Sequence, residues 1–419
     1  MKKPHVILGI GKSGLSAMNL LLLKGISASD IFTFDEKNET AQYNNWDQLY
    51  QLPTGYFILS PGIPLANKHL QKLISNGWQL TSEINLATEY LTDEILIGIT
   101  GSVGKSTVTT LIGRAVLTVD QYAFIGGNLG IPFCDYALRL LENPEKKAKY
   151  IILELSSYQL ENCQNLKLDY SIITYLSANH LERYPTIEDY YKTKCSIGLM
   201  TKNICLINST SPDLMKNREL IACKTIPTNR YSMDQNNLNK INLIGEHNYD
   251  NVSLAVKLCQ LLLITEDEIS SVYKYKGLPH RLETVTVLNN VLYVNDSKAT
   301  AMDSVLVATS ACLTKVPSNS FLYLLLGGKD KNLPWEQLNI LKNKNIKFVF
   351  FGNCGELAQK KAQLQGQCFN KLQLAVEFVK KEVHSGDVVL LSPGGTSLDE
   401  FNNFEERGLF FKNLIKEIN

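Results

Sequence analysis

No apolar run in this chain approaches the ~18–20 residues that a bilayer-spanning helix needs. The opening stretch MKKPHVILGIGKSG has a basic start and a short apolar run, but its glycines come too early for a signal peptide. Neither sign of charge is in excess, with 42 Lys and Arg against 41 Asp and Glu. That balance asks for no nucleic-acid partner and no membrane insertion. The nine cysteines are scattered and include no Cys-x-x-Cys pair, which argues against a zinc site or a disulfide framework. A reducing, cytoplasmic location is expected. Sequence-level repeats are missing too. What is left is the composition of an ordinary globular chain, 44% apolar, whose 419 residues suggest two to four domains at roughly 100–200 residues each.

The strongest local signal is LIGITGSVGKSTVTTLIGRAV, from Leu96 to Val116. Ile95, Leu96 and Ile97 read as the end of a buried strand, Gly98 to Gly104 as a glycine-rich turn, and Lys105-Ser106-Thr107 as the start of an amphipathic helix. That order builds a phosphate-binding loop. Backbone N–H groups unobstructed by Cβ atoms surround the phosphate, and the helix N-terminus adds positive potential. Lys105 meets the outer phosphates, and the Ser106 hydroxyl reaches Mg²⁺. The strict pattern needs glycine at position 99, where Ile99 stands. What remains is the shorter G-x-x-G-K-S-T of Gly101, Ser102, Val103, Gly104, Lys105, Ser106 and Thr107.

On either side of this loop, apolar strands run into polar or glycine loops. His5–Gly9 leads into Gly9-x-Gly11-x-x-Gly14 and a helical pattern, and Ile31–Phe34 ends at Asp35. Together these resemble a dinucleotide fingerprint, which admits a nucleotide diphosphate without saying which. Tyr56–Leu59 enters Ser60-Pro-Gly-Ile63. Tyr150–Leu153 ends at Glu154, an acid where phosphate-loop proteins hold Mg²⁺. Tyr170–Thr174 leads toward Asn179-His180, and His180 alone is more simply a loop histidine than a ligand. Lys194, on the next helix, reads alone as a solvated residue. Residues 209–241 are polar and weakly patterned, and peripheral strands and loops are expected there. Gly277–Arg281 reads as a linker. Beyond it, strands at 291–294, 320–326, 347–351 and 387–391 each enter a polar or glycine loop. The fold class is α/β, with ligand loops at strand ends.

Nine stretches, in order, carry a resemblance: ITGSVGKSTVTTLIG, GGNLGIP, LELSSYQLE, HLERY, GEHNYDN, GLPHRLE, NDSKAT, LLLGGKDKN and LLSPGGTSLDEFNNFEERG. Through them the chain resembles the Mur ligases, and the LELSSYQLE, NDSKAT and C-terminal stretches resemble the D-glutamate-adding member. The resemblance implies three domains. Residues 1–90 would form a Rossmann-like domain binding the UDP substrate. Residues 91–277 would form a central phosphate-loop ATPase-like domain with a mostly parallel sheet. Residues 278–419 would form a Rossmann-like domain for the amino acid, with a hinge near Gly277–Arg281.

The implied activity is ATP-dependent addition of D-glutamate to UDP-N-acetylmuramoyl-L-alanine through an acyl phosphate, in peptidoglycan precursor synthesis, by a monomer. By the same resemblance, Ser13, Gly14, Asp35, Ser60, Gly62 and Asn128 would bind the UDP substrate. ATP would lie on Gly101–Thr107 with Asn248, Asn251, Arg281 and Asp296, and His280 and Lys298 would be nearby. Thr300, Lys331, Ser397 and Phe404 would hold D-glutamate. Lys105, Glu154, His180 and Lys194 would be catalytic. Ser106 and Glu154 would coordinate or position one Mg²⁺, and His180 with Lys194, the latter as a carbamate, a second. The chain departs from the family's usual residues at Val103, Asn179, Glu246 and Ala301, and in the Pro-Gly-Gly-Thr before Ser397.

Overall fold

A computed structural model describes residues 3–177 and 183–416 of the chain. Its strands are mostly short apolar runs whose side chains are buried on both faces, the pattern of parallel sheets covered by helices. The first sheet takes β1 (His5–Leu8), β2 (Ile31–Phe34), β3 (Tyr56–Leu59) and β4 (Gln79–Ser82) in the order β2-β1-β3-β4. The second is built from β5 (Ile95–Thr100), β6 (Phe124–Gly127), β7 (Tyr150–Glu154), β8 (Leu168–Ile173), β9 (Thr201–Asn208) and β10 (Lys224–Thr228). Its order is β10-β9-β8-β5-β7-β6. The third holds β11 (Glu283–Leu288), β12 (Val291–Asn295), β13 (Leu322–Gly327), β14 (Ile346–Phe351), β15 (Gly366–Phe369) and β16 (Val388–Gly394). It runs β11-β12-β16-β13-β14-β15.

Only the β11–β12 pairing among these is antiparallel. Asn289 and Asn290 join those strands with φ of 50° and 60°, the left-handed pair that a two-residue hairpin turn requires. β11 was not anticipated from sequence, because its turn lacks the usual Asn-Gly signal. The weakly patterned 209–241 region contributes one strand, β10, at the sheet edge, with Pro227 in it, and the short helix Pro212–Lys216.

The chain packs as two compact units, Met1–Lys240 with Asp250–Lys274, and Ile241–Tyr249 with Tyr275–Asn419. The first unit contains the first two sheets, bound by a shared core. Ala17, Leu20 and Leu21 of helix Lys12–Leu23 share a core with Tyr136 and Ala137 of helix Cys134–Glu142 and with Phe133 just before it. Glu83 ties the same region together. It begins helix Glu83–Thr88, and its Oε1 accepts the backbone N–H of Cys134. One buried carboxylate thus sits at two helix N-termini, where negative charge is favoured. Burial still pushes its pKa up to about 7, opposed by the Cys134 N–H and assisted by the nearby Asp135 charge. A raised acid pKa means that the folded chain holds a proton the unfolded chain has released. Its stability contribution is full below the unfolded value near 4.5 and is lost as pH rises through about 7. Glu83→Gln should therefore flatten the fall in thermal midpoint between pH 5 and pH 8. An unchanged slope would show that Glu83 is not the group responsible.

Candidate active site

β5 ends at Thr100, and the phosphate-binding loop follows. Gly101 has φ +147° and Gly104 φ +87°, both in the region that favours glycine. Space is as restrictive as the backbone. A Cβ on Gly101 would come 2.1 Å from Thr174 Oγ1, and one on Gly104 would come 2.6 Å from Asn251 Oδ1. Thr174 Oγ1 donates to the Val103 carbonyl at 2.5 Å, and Ser102 Oγ donates to the Ser177 carbonyl at 2.9 Å. The Thr174 side chain and the Ser177 backbone, both just after β8, thus brace the loop. Lys105 Nζ donates to the carbonyls of Gly101 (2.9 Å) and Ser102 (3.2 Å), so the ammonium lies across the loop mouth. Ser106 is buried in the first turn of helix Lys105–Val116. Val103, where the family usually has asparagine, is 56% exposed and contributes its backbone carbonyl to the brace.

Glu154 ends β7 beside Ile99 of β5 and Gly127 of β6. It is 2% exposed. Oε1 accepts from Asn128 Nδ2 at 2.7 Å, and among the described residues Oε2 has no partner. A buried carboxylate oxygen without a partner is costly, and a cation or donor placed there would relieve that cost.

Lys194 requires a correction. Read alone it is a solvated helix residue, yet it is 2% exposed. Nζ donates to Thr100 Oγ1 at 3.2 Å and lies 5.4 Å from the centroid of the Tyr190 ring. Burial holds its pKa well below the ordinary lysine value, Lys105 pushes it the same way, and Glu154 opposes. The structure therefore gathers Lys105, Ser106, Glu154, Asn128, Asn251 and Lys194 at one edge of the second sheet. Among the described residues, no three His, Cys, Asp or Glu side chains group as a metal site. Of the two Mg²⁺ ions that the resemblance implies, one would be held by Glu154 and the Ser106 hydroxyl, and the other would need an anion made from Lys194. His180 and Asn179 lie outside the described residues.

The loops of the first sheet meet at its own strand ends. Asp35 Oδ2 accepts the Ile10 N–H at 3.2 Å, and Ser60 Oγ donates to the Gly9 carbonyl at 2.7 Å. Gly14 abuts Gly9, whose carbonyl would lie 2.0 Å from a Cβ at 14. Ser13 is half-buried in the first turn of its helix, and Gly62 is exposed. Arg183, which sequence reasoning did not single out, links this region to the second sheet. It pairs with Glu161 at 2.6 Å, donates to the Pro61 carbonyl at 2.9 Å, and lies over the Tyr158 ring at 4.0 Å. The HLERY and LELSSYQLE stretches were visible in sequence, but their meeting was not.

In the second unit, Asp296 is buried after β12 and accepts from Ser392 Oγ (2.9 Å) and the Leu282 N–H (3.2 Å). Burial pushes its pKa up to about 7, against the Ser392 hydroxyl, the Leu282 N–H and the Arg281 charge. His280 is buried with φ 63°, its Nδ1 lies 3.0 Å from Asn295 Nδ2, and burial lowers its pKa. Arg281 is exposed. Lys298 Nζ lies 5.0 Å from the Phe404 ring centroid. Thr300 follows β12, Lys331 is exposed after β13, and Ser397 is buried after β16. Asn248, whose Nδ2 donates to the Ile244 carbonyl at 2.7 Å, belongs to this unit, whereas Asn251 belongs to the first.

Residues 99–240 match the family described as Mur ligase middle domain. The chain is 35% identical to the UDP-N-acetylmuramoylalanine–D-glutamate ligase of Buchnera aphidicola subsp. Schizaphis graminum, an alignment that covers 100% of this chain and 98% of the relative. The chain belongs to the Mur ligase family. A Haemophilus influenzae ligase of the same name is 32% identical, with 99% of this chain and 98% of the relative covered. The fold of this Mur ligase also matches a solved one. MurF ligase from Thermotoga maritima, in complex with ADP, aligns with a TM-score of 0.61 at 17% identity, over 100% of this chain and 96% of the other. No helix among the described residues is long and apolar enough to cross a membrane.

Proposed function

We propose that this Mur ligase joins D-glutamate to UDP-N-acetylmuramoyl-L-alanine, with ATP converted to ADP and phosphate, in the cytoplasm and as a monomer. One observation carries the reading: the phosphate loop, the buried Glu154 and the buried Lys194 share one sheet edge, in a chain aligned end to end with ligases of that name. A carboxylate is a poor acyl donor because its leaving group would be oxide. Attack of the substrate carboxylate on the terminal phosphorus of ATP releases ADP and makes an acyl phosphate. The amino group of D-glutamate then adds to the acyl carbon, a tetrahedral intermediate forms, phosphate leaves and a proton is lost. Both nucleophiles come from substrates, so the protein's task is positioning and charge neutralisation.

In this reading the loop N–H groups and Lys105 hold the ATP phosphates, and the start of helix Lys105–Val116 adds its dipole. One Mg²⁺ on Ser106 and Glu154 and a second on His180 and carbamylated Lys194 would neutralise charge on the transferring phosphoryl group. The surroundings of Lys194 suit that modification. An amine kept neutral by burial can add to CO₂, releasing a proton and leaving a carbamate anion. Asn251, Asn248, Arg281 and Asp296 would bind the nucleoside of ATP, with His280 and Lys298 nearby. Ser13, Gly14, Asp35, Ser60, Gly62 and Asn128 would bind the UDP substrate, with residues 1–90 as its domain, 91–277 as the ATP domain and 278–419 as the amino-acid domain. Lys331 supplies a cation for a D-glutamate carboxylate, with Thr300, Ser397 and Phe404 around it.

The test is phosphate release with ATP, Mg²⁺, UDP-N-acetylmuramoyl-L-alanine and a panel of D- and L-amino acids. Release is expected with D-glutamate. Release that depends on a different amino acid would overturn the substrate assignment.

A further inference from the structure

Arg407, in helix Phe404–Lys416, is fully buried, and the proposed chemistry assigns it nothing. Its Nε donates to Ser297 Oγ at 3.0 Å, Nη2 to the Ser297 carbonyl at 2.8 Å, and Nη1 to the Gly395 carbonyl at 3.1 Å. Ser297 Oγ in turn donates to the Phe404 carbonyl at 2.8 Å. Nη1 also lies 2.9 Å from where a Cβ on Gly328 would stand, at a residue with φ +99°. One guanidinium therefore contacts the loops that follow β12, β13 and β16, and through Ser297 it reaches the first turn of the last helix. Those are the segments that carry Thr300, Lys331, Ser397 and Phe404.

Among the described residues Arg407 has no carboxylate at ion-pair distance, and Asp399 and Glu400 act on it only from farther away. A buried charge without a paired countercharge is expensive, and an apolar side chain of similar volume would fill the space more cheaply. Retaining a cation here makes sense if something anionic is bound above it. The charge acts through a medium that screens it far less than water does. We propose that Arg407 is a positioning residue for a dicarboxylic amino acid. It locks the three strand-end loops in register and keeps a permanent positive charge beneath them, so that with Lys331 the pocket presents two cations to two carboxylates. This rests on the reading of those loops as the D-glutamate site.

The test compares Arg407→Met, Arg407→Lys and Ser297→Ala with the parent chain, measuring KM for each of the three substrates and selectivity for D-glutamate over D-glutamine. In Arg407→Met, KM for D-glutamate should rise by about tenfold or more while the other two KM values stay within about twofold, and selectivity should fall. Arg407→Lys keeps the charge and should keep more of the selectivity. Ser297→Ala keeps the charge and removes one link, so KM for D-glutamate should rise by roughly threefold with selectivity unchanged. A parallel rise in all three KM values, or no change in any, overturns the proposal. If Arg407→Met does not fold, an unchanged D-glutamate KM in the other two variants overturns it as well. If the parent itself releases no phosphate with D-glutamate, the functional reading fails instead, and the same comparison is run with the amino acid the panel identifies.

Discussion

Replacing Lys194 with alanine is expected to lower D-glutamate-dependent phosphate release by about 10³ or more, and short carboxylic acids such as acetate or propionate should restore part of it. The rescue follows from the surroundings of the residue. The Lys194 side chain is enclosed against Thr100 and Tyr190, so truncation leaves a small chamber beside the phosphate loop. A small carboxylate entering it would return the negative charge that the carbamate supplies. The emptied chamber should lower the thermal midpoint of the untreated variant, because Lys194 is among the largest fully buried side chains, and a carboxylate that occupies it should recover part of that loss. Full activity in the untreated variant would remove Lys194 from the metal site, and rescue by uncharged amides as efficient as by carboxylates would show that volume, not charge, is what is missing.

The second large effect is at Glu154. Glu154→Gln should lower turnover by about 10³, because the substitution keeps the shape of the side chain and removes the charge that would hold a divalent cation. Its effect on folding should have the opposite tendency. Oε2 has no partner among the described residues, so a neutral side chain relieves part of the burial cost. The thermal midpoint without ligand should stay level or rise, while the stabilisation that ATP with Mg²⁺ gives the parent should disappear. A variant that loses activity and stability together would place Glu154 in the scaffold rather than at the cation.

Much of this site was legible in the sequence, and the reason is local. A phosphate loop needs its strand, glycines, lysine and hydroxyl in consecutive positions, so its chemistry appears as a word: Gly101 to Thr107. Glu154 was readable because an acid directly after an apolar strand stands at a sheet edge. Lys194 was not. Helical spacing puts Tyr190 one turn before it, but its burial also depends on Thr100, far off in sequence, and periodicity cannot report that contact. Arg407 was hidden for the same reason, since its partners Ser297 and Gly395 come from two other strand ends. The Arg183–Glu161 pair and its bond to Pro61 needed two sheets to be assembled first. Strand β11 escaped notice because Asn289-Asn290 makes its turn by adopting left-handed backbone twice, without the glycine that usually signals one.

Pro227, in β10 at the free edge of the second sheet, has a bearing on how the protein behaves at high concentration. An uncovered edge strand offers a row of backbone donors and acceptors to any extended chain that comes near, including another copy of itself. Proline has no N–H to offer, so a continuous added strand cannot form a complete ladder along Lys224–Thr228. The second sheet thus stops at six strands, and a residue that takes no part in ligation helps to keep the enzyme from templating its own aggregation.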